Sequence, residues 1–259
     1  MLPIRKKSQG DEILIAAHRG SSGTAPENTL AAYRDAIESE ADIVEADVQM
    51  TADGKVVVFH DKHLSRTTDS KGKIGDLNYG QFRNADAGSW FAEKYRGERI
   101  PLIADVINTI KGHCYLNIEV KNIEGNNLGY NIERIIEIIY ENEYQDYTTF
   151  SSFYYNTLRQ LKKKYPEFPT MAIRIPKDSR SASQIISETS CDAFIAALDE
   201  FNPKLLADII DNKIFAAVYT VNTKEEFDYA ITLPIKSLVT NFPKRIRQYL
   251  NEYRKNKTL

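Results

Sequence analysis

Acidic and imidazole side chains interrupt two otherwise apolar strands in the stretch DIVEADVQMTADGKVVVFHD, residues 42–61. Side chains on a strand alternate between its two faces, so Glu45 and Asp47 point the same way. An Asp-Gly dipeptide after them predicts a tight hairpin turn. A two-residue loop sets Asp47 opposite His60, and a longer loop or a bulge shifts this match by one or two residues. We therefore expect Glu45, Asp47 and His60 to form a compact cluster.

Polar residues also end two other predicted strands. The first strand ends in His18-Arg19-Gly20, and a later one, CYLNIEVK, places Glu119 and Lys121 on the same face. If these strands belong to one parallel barrel, their carboxyl ends meet at the face where active sites are built. We therefore expect three carboxylates, two histidines and two cations in one place.

Three carboxylates, Glu45, Asp47 and Glu119, would repel one another and oppose folding if they were buried without a compensating charge. A divalent cation supplies that charge, and carboxylate oxygens suit the hard ions Mg²⁺, Ca²⁺ or Mn²⁺. The alternative is a structural salt-bridge cluster with Arg19 and Lys121. A structural cluster does not need two nearby histidines, so we favour a divalent metal site.

The two cations and the two histidines indicate what this metal site would act on. A phosphate is usually held by a guanidinium, an ammonium and a metal ion placed around one spot. Here Arg19 would supply the guanidinium and Lys121 the ammonium. His18 and His60 can then act as a general acid/base pair, one removing a proton from the nucleophile and the other protonating the leaving oxygen. The residues therefore predict displacement at the phosphorus of a phosphate ester.

The elements that must position these residues follow a regular order. Strand-like and helix-like patterns alternate with short connectors, which is typical of repeated βα units and a parallel sheet. Eight strands are predicted, each followed by a helical pattern: 13–18, 42–50, 114–121, 148–153, 170–175, 191–197, 214–221 and 237–241. Eight units predict an α/β fold, a closed (βα)8 TIM barrel, as a single catalytic domain over residues 1–259. The segment 62–99 predicts a small insertion after the second strand.

Composition narrows the class of partner and the location. The formal net charge is −2, so no basic field favours nucleic acid. No run of apolar residues approaches the length of a membrane span, and no apolar signal-peptide core precedes the first strand, so we expect a cytoplasmic protein without a transmembrane segment.

Cys114 and Cys191 are too few for a thiolate zinc site or a disulfide scaffold and are predicted to be buried free thiols. The oligomeric state is left open.

Several of these motifs occur together in one known family. The chain carries His18-Arg19-Gly20, Pro26-Glu27-Asn28-Thr29, Glu45-Ala46-Asp47-Val48 and His60-Asp61, then RTTD at 66–69, NIEVK at 117–121, YTVN at 219–222 and TNFP at 240–243. In this order, and over most of the chain, they resemble the signature of the glycerophosphodiester phosphodiesterase family.

The resemblance implies a TIM barrel with a small insertion and metal-dependent hydrolysis of small-molecule glycerophosphodiesters to glycerol 3-phosphate and an alcohol. It implies site residues in three roles: His18 and His60 as the acid/base pair, Glu45, Asp47 and Glu119 as metal ligands, and Arg19 and Lys121 near the phosphate. The chain departs from the family's frequent Trp at Tyr219, which keeps an aromatic residue at this position. It also departs at Leu102-Ile103-Ala104-Asp105, where a Thr-Leu-Glu run is common.

Other residues receive structural or lining roles. Pro26-Glu27-Asn28-Thr29 is predicted to shape a turn and to cap the first helix, with Asn28 as the cap. Phe153, Tyr219 and Trp90 are candidates for the pocket around the glycerol or alcohol group, although aromatic residues in barrels more often pack in the core.

Two rival functions use the same residues. A lysophospholipase D acting on a lipid-bearing diester would need the same barrel and the same phosphate-binding cations, and an exposed apolar rim around the pocket would favour it. A non-catalytic protein that binds a phosphate ligand would lack one of the histidines or carboxylates, and none is missing. The nucleophile is open between metal-activated water and the substrate's own 2-hydroxyl, which would give a cyclic phosphate.

Overall fold

A computed structural model describes residues 1–7, 9–10, 12–121 and 128–257 of the chain, and its strands close into a barrel. The strands are β1 Leu14–Ala17, β2 Ile43–Met50, β3 Val56–Val58, β4 Tyr115–Val120, β5 Thr148–Ser152, β6 Thr170–Ile173, β7 Ala193–Ala197, β8 Ala216–Tyr219 and β9 Ser237–Thr240. The strand order is β1-β9-β8-β7-β6-β5-β4-β2-β3, and β1 also pairs with β2, which closes eight parallel strands. The predicted (βα)8 TIM barrel is therefore confirmed.

Helices connect the barrel strands and surround them. They are α1 Ile4–Lys7, α2 Leu30–Glu38, α3 Ile103–Ile110, α4 Leu128–Glu141, α5 Tyr155–Lys164, α6 Ala182–Thr189, α7 Pro203–Asp211, α8 Lys224–Ala230 and α9 Pro243–Lys257. The short helix α1 was not predicted from the sequence. Its Ile4 packs with Leu14, Ala16 and Ile43, so it covers the amino-terminal end of the barrel.

Strand alternation separates the two faces of β2 and β4 as predicted. The outward residues Val44, Ala46, Leu116 and Ile118 are buried in one apolar cluster with α2, α3 and α4. Toward the carboxyl ends of the strands the inward residues are polar, and the parallel register places Asp47 beside Glu119. Burial of the apolar face against the helices therefore fixes which way the carboxylates point.

The hairpin register differs from the predicted one by one residue. Strand β3 pairs antiparallel with β2 through Val48 opposite Val58, and the Asp47 carbonyl accepts a hydrogen bond from the Phe59 N–H at 2.8 Å. The loop holds three residues rather than two because Gly54, at φ 74°, takes the left-handed conformation. Asp47 therefore lies opposite Phe59 and not His60.

The segment after β3 forms the insertion expected at about 62–99. It contains four short 3₁₀ turns, Leu64–Arg66, Ile74–Asp76, Tyr79–Gln81 and Glu93–Tyr95. Leu64, Ile74, Phe82 and Ile100 form a small apolar core with Val57 of β3. The insertion is therefore anchored on the hairpin that carries the site residues.

Two further sequence expectations concern the cysteines and membrane spans. Cys114 and Cys191 are buried free thiols, as predicted. Over the residues that the structure describes, no helix is both long enough and apolar enough to cross a bilayer.

Candidate active site

Three carboxylates meet at the carboxyl ends of β2 and β4. Glu45, Asp47 and Glu119 each offer one oxygen, and these oxygens lie within 4.8 Å of one another. All three residues are buried, with Asp47 fully inaccessible. The alternation of β2 and the parallel register with β4 therefore produce the acidic triad that the sequence predicts.

Burial and neighbouring charges shift the pKa values of all three carboxyl groups of the triad. Burial and the charges of Asp47 and Glu119 raise the pKa of Glu45 well above its usual range. Burial and the Asp47 charge also raise the pKa of Glu119. Burial also acts to raise the pKa of Asp47. The charges of Lys121 and Arg19 outweigh this effect and lower the pKa of Asp47 to about 2. With all three groups ionised, the triad would carry more negative charge than its protein neighbours offset.

The two predicted phosphate-binding cations contact the triad unequally. Lys121 Nζ lies 2.7 Å from Asp47 Oδ1 and 2.6 Å from Glu119 Oε1, and Arg19 Nε lies 3.2 Å from Asp47 Oδ2. Glu45 Oε2 accepts a hydrogen bond from the Arg19 backbone N–H at 2.8 Å, whereas its Oε1 is buried without a hydrogen-bond partner among the described residues. A salt-bridge cluster alone therefore leaves one carboxylate oxygen unsatisfied. An all-oxygen triad with such an oxygen fits a hard divalent cation.

His18 follows β1 and lies close enough to Asp47 for the charge of that carboxylate to influence the pKa of the imidazole. Its Nδ1 lies 2.8 Å from Oδ1 of Asn241, which follows β9. An amide oxygen only accepts, so this contact keeps the proton on Nδ1 and leaves Nε2 with a free lone pair. Burial and the Arg19 cation lower the pKa of His18 to about 4, so the ring is neutral near pH 7.

His60 lies just beyond β3 and within electrostatic range of Asp47 and Glu119. Its Nδ1 lies 2.6 Å from Oδ1 of Asp61. A hydrogen bond from Arg66, together with His60, lowers the pKa of Asp61 to about 2 despite partial burial, so Asp61 is a carboxylate. His60, Lys121 and Tyr154 line an open depression of about 450 Å³. The two histidines thus differ in partner, an amide for His18 and a carboxylate for His60.

The predicted helix cap at Asn28 is wrong, because Asn28 serves the triad instead. Thr29 caps α2, with its side chain accepting from the Ala32 N–H. Asn28 takes a left-handed conformation at φ 58°, which Asn tolerates, and its Nδ2 donates to Asp47 Oδ2 at 2.8 Å. The Tyr33 hydroxyl donates to Asn28 Oδ1 at 3.0 Å. Sequence reasoning missed this role, because Asn is itself a favoured N-cap residue and nothing in the sequence showed that Thr29 would cap the helix instead.

The three candidate pocket aromatics lie in two different places. Phe153 and Tyr219 pack inside the barrel on a cluster of Ile173, Ile195 and Ala217. Burial and the charge of Glu200 raise the pKa of Tyr219 to about 12. Trp90 lies in the insertion, where its Nε1 donates to the Ala87 carbonyl at 2.9 Å. The structure therefore brings Phe153 and Tyr219 together and places Trp90 apart from them.

Known proteins resemble this chain over most of its length. A glycerophosphodiester phosphodiesterase of Caldanaerobacter subterraneus is 33% identical over 237 residues, which cover 90% of this chain and 96% of that protein. A phosphodiesterase of Oleispira antarctica, solved in complex with the product sn-glycerol-3-phosphate, superposes with a TM-score of 0.88 at 29% identity, over 94% of this chain and 99% of that one. A glycerophosphodiester phosphodiesterase of Thermotoga maritima, at 22% identity and a TM-score of 0.74 over 92% of this chain and 99% of that one, shares the fold.

The match extends to a whole family. The sequence model of the Glycerophosphoryl diester phosphodiesterase family matches residues 18–245, which span the first histidine of the site and every barrel strand after it. The chain belongs to the glycerophosphoryl diester phosphodiesterase family.

Proposed function

We propose that this chain hydrolyses glycerophosphodiesters to glycerol 3-phosphate and an alcohol. The observation that carries the proposal is the buried triad of Glu45, Asp47 and Glu119, whose oxygens lie within 4.8 Å of one another, together with two histidines that have defined partners. The family and the product bound to the Oleispira antarctica relative support the substrate class.

The triad would hold one divalent cation, Mg²⁺, Ca²⁺ or Mn²⁺. When bound, such an ion supplies Lewis-acid polarisation of a phosphoryl oxygen. Arg19 and Lys121, which now contact the carboxylates of the triad, would turn toward the phosphate and orient it. The protein thus provides two different cations for one phosphate group: the planar guanidinium of Arg19 and the compact ammonium of Lys121.

The partners of the two histidines favour different roles. His18 is neutral with a free Nε2, which suits a general base that takes the proton of the attacking nucleophile. His60 faces the ionised Asp61, whose contact with Nδ1 holds the ring in one orientation and suits a general acid that protonates the leaving alcohol oxygen. Each proton transfer contributes a factor of about 10² to 10⁴ in rate.

A product assay tests the proposal. Chromatography of glycerol 3-phosphate released from glycerophosphocholine, glycerophosphoethanolamine and glycerophosphoglycerol should detect turnover in the wild type. His18→Ala and His60→Ala should each lose turnover by about 10² or more. The matched control is His113→Ala, because His113 lies at the amino-terminal end of β4, away from the triad. Undiminished turnover in His18→Ala would refute the acid/base assignment.

The nucleophile can be identified in the same reaction. Attack by the 2-hydroxyl of the substrate glycerol gives a cyclic phosphate before glycerol 3-phosphate, whereas attack by water gives glycerol 3-phosphate directly. Phosphorus NMR during turnover separates the two routes, because only the first shows a transient cyclic phosphate resonance.

One observation favours a lipid-bearing substrate as a second candidate. Tyr154 is 41% exposed and lines the depression beside His60, and Ile175, which follows β6, is also 41% exposed. Exposed apolar side chains at a site mouth fit an acyl chain. Lysophosphatidylcholine tested beside glycerophosphocholine decides between them, since a lysophospholipase D would release choline faster from the lipid.

A further inference from the structure

Glu27 and Arg66 form a hydrogen-bonded ion pair although 39 positions separate them in the chain. Both residues belong to the sequence motifs, and neither has been given a role in the reaction. Arg66 Nη1 donates to Glu27 Oε2 at 3.0 Å, and Arg66 Nη2 donates to Glu27 Oε1 at 2.6 Å. Two parallel N–H bonds from one guanidinium form the bidentate geometry that fixes orientation as well as charge. Glu27 is therefore held in place by a residue of the insertion.

The same guanidinium holds a second carboxylate. Arg66 Nε lies 2.5 Å from Asp61 Oδ2, and Arg66 Nη2 lies 3.0 Å from Asp61 Oδ1. Asp61 Oδ1 in turn contacts His60 Nδ1 at 2.6 Å. On the other side, Glu27 Oε1 accepts from Arg19 Nη1 at 3.0 Å. Arg66 thus stands between the partner of a proposed catalytic histidine and the partner of a proposed phosphate-binding arginine.

The insertion fixes the position from which Arg66 reaches both carboxylates. Arg66 ends the 3₁₀ turn Leu64–Arg66, whose Leu64 is fully buried in the core of the insertion. The Leu64 N–H donates to the Gly72 carbonyl at 3.0 Å, and the Thr68 hydroxyl donates to the Leu64 carbonyl at 2.8 Å. The base of the Arg66 side chain therefore cannot shift without unpacking the insertion.

We propose that Arg66 is a positioning residue through which the insertion orients His60 and Arg19 together. The inference rests on the proposed function, because it assumes that these two residues act on the substrate. A planar fork with five donors can hold two carboxylates at once, whereas a lysine ammonium is a single point charge. Arg66 therefore serves two partners that lie on separate loops.

Loss of this guanidinium has two separate consequences. Asp61 would lose the two bonds that set its plane, so that His60 would no longer be held in one orientation. Without Arg66, Arg19 would be the remaining cation in the contacts of Glu27 described above, and Glu27 would draw Arg19 away from the phosphate. The first effect lowers kcat, and the second raises KM.

Steady-state kinetics with glycerophosphocholine test the proposal. Arg66→Ala should lower kcat by about 10- to 100-fold, the usual effect of removing a residue that orients a site ligand, and should also raise KM. Asp61→Asn should lower kcat without the rise in KM. The matched control is Arg96→Ala, since Arg96 also forms a bidentate pair within the insertion, with the exposed Glu93. Arg66→Lys should lie between Arg66→Ala and the wild type.

Two measurements separate positioning from a general loss of structure. Guanidinium ion added to Arg66→Ala should restore part of kcat and should not affect Arg96→Ala. Nitrogen NMR of histidine-labelled protein should show the His60 Nδ1–H signal of the wild type replaced in Arg66→Ala by an exchange-averaged signal, with His60→Gln giving the assignment. Because the Arg66 side chain is 44% exposed, and exposed ion pairs add little to stability, Arg66→Ala should fold.

The outcomes distinguish this inference from the proposed function. Wild-type turnover together with an Arg66→Ala variant whose kcat, KM and His60 spectrum all match those of Arg96→Ala would overturn the positioning role. Absence of turnover in the wild type would refute the proposed function, and an unchanged His60 spectrum in Arg66→Ala would still overturn the positioning role.

Discussion

Acidification should destabilise the metal-free protein through one buried imidazole, that of His18. Burial and the neighbouring Arg19 cation lower its pKa to about 4, against 6.5 for an ordinary histidine. Because the pKa is lower in the folded state, the unfolded chain binds more protons between these two values. The free energy of unfolding should therefore fall as the pH falls through this window.

The size of this effect follows from the two pKa values. Between about pH 7 and about pH 5 the unfolded imidazole becomes almost fully protonated, whereas the folded one stays neutral. The linkage relation then gives a loss of about 2 kcal/mol in the free energy of unfolding from His18 alone. The remaining titratable groups contribute equally to the wild type and to His18→Gln, in which the amide can still donate to Asn241.

Urea unfolding of both proteins with EDTA at the two pH values provides the assay. The wild type should lose about 2 kcal/mol more than His18→Gln between about pH 7 and about pH 5. Equal losses in the two proteins would refute the conclusion that His18 is buried in a neutral form.

Two further predictions concern the support of the triad and the core. Asn28→Ala should weaken Mg²⁺ or Mn²⁺ binding by about 10- to 100-fold, because Asp47 loses the amide that orients it, and Tyr33→Phe should weaken binding less. Calorimetric titration measures both affinities, and an unchanged affinity in Asn28→Ala would show that Asp47 is oriented without it. Phe150→Ala should lower the free energy of unfolding by about 3–5 kcal/mol, because Phe150 is fully buried edge-on against Phe168. A loss below about 1 kcal/mol in urea unfolding would contradict this packing.

Much of the barrel and the triad could be predicted because they depend on local periodicity. A period of two along β2 and β4 decides which side chains face inward, and parallel pairing then brings Asp47 beside Glu119. The hairpin register could not be predicted, since one left-handed residue, Gly54, lengthens the loop by one position and shifts every pair. His60 nevertheless lies within electrostatic range of Asp47 and Glu119, although it follows β3 instead of pairing within it.

Contacts between separate loops were beyond the reach of sequence reasoning. The contact of Asn28 with Asp47 depends on a single positive φ and on the path of the chain after β1. The contact of Arg66 with Glu27 depends on how the insertion folds back over the barrel. Neither Asn28 nor Arg66 lies on a helix or strand long enough for a repeating pattern to indicate the direction of its side chain.

The central claim is that the triad binds a divalent cation on which hydrolysis depends. Protein stripped with chelator and titrated with Mg²⁺, Ca²⁺ or Mn²⁺ tests it when bound metal and the release of glycerol 3-phosphate are measured in the same samples. We predict that turnover is absent in the stripped protein and rises in proportion to the bound ion, and that Glu45→Gln recovers neither at the same metal concentration. Full turnover in the stripped protein would contradict the claim.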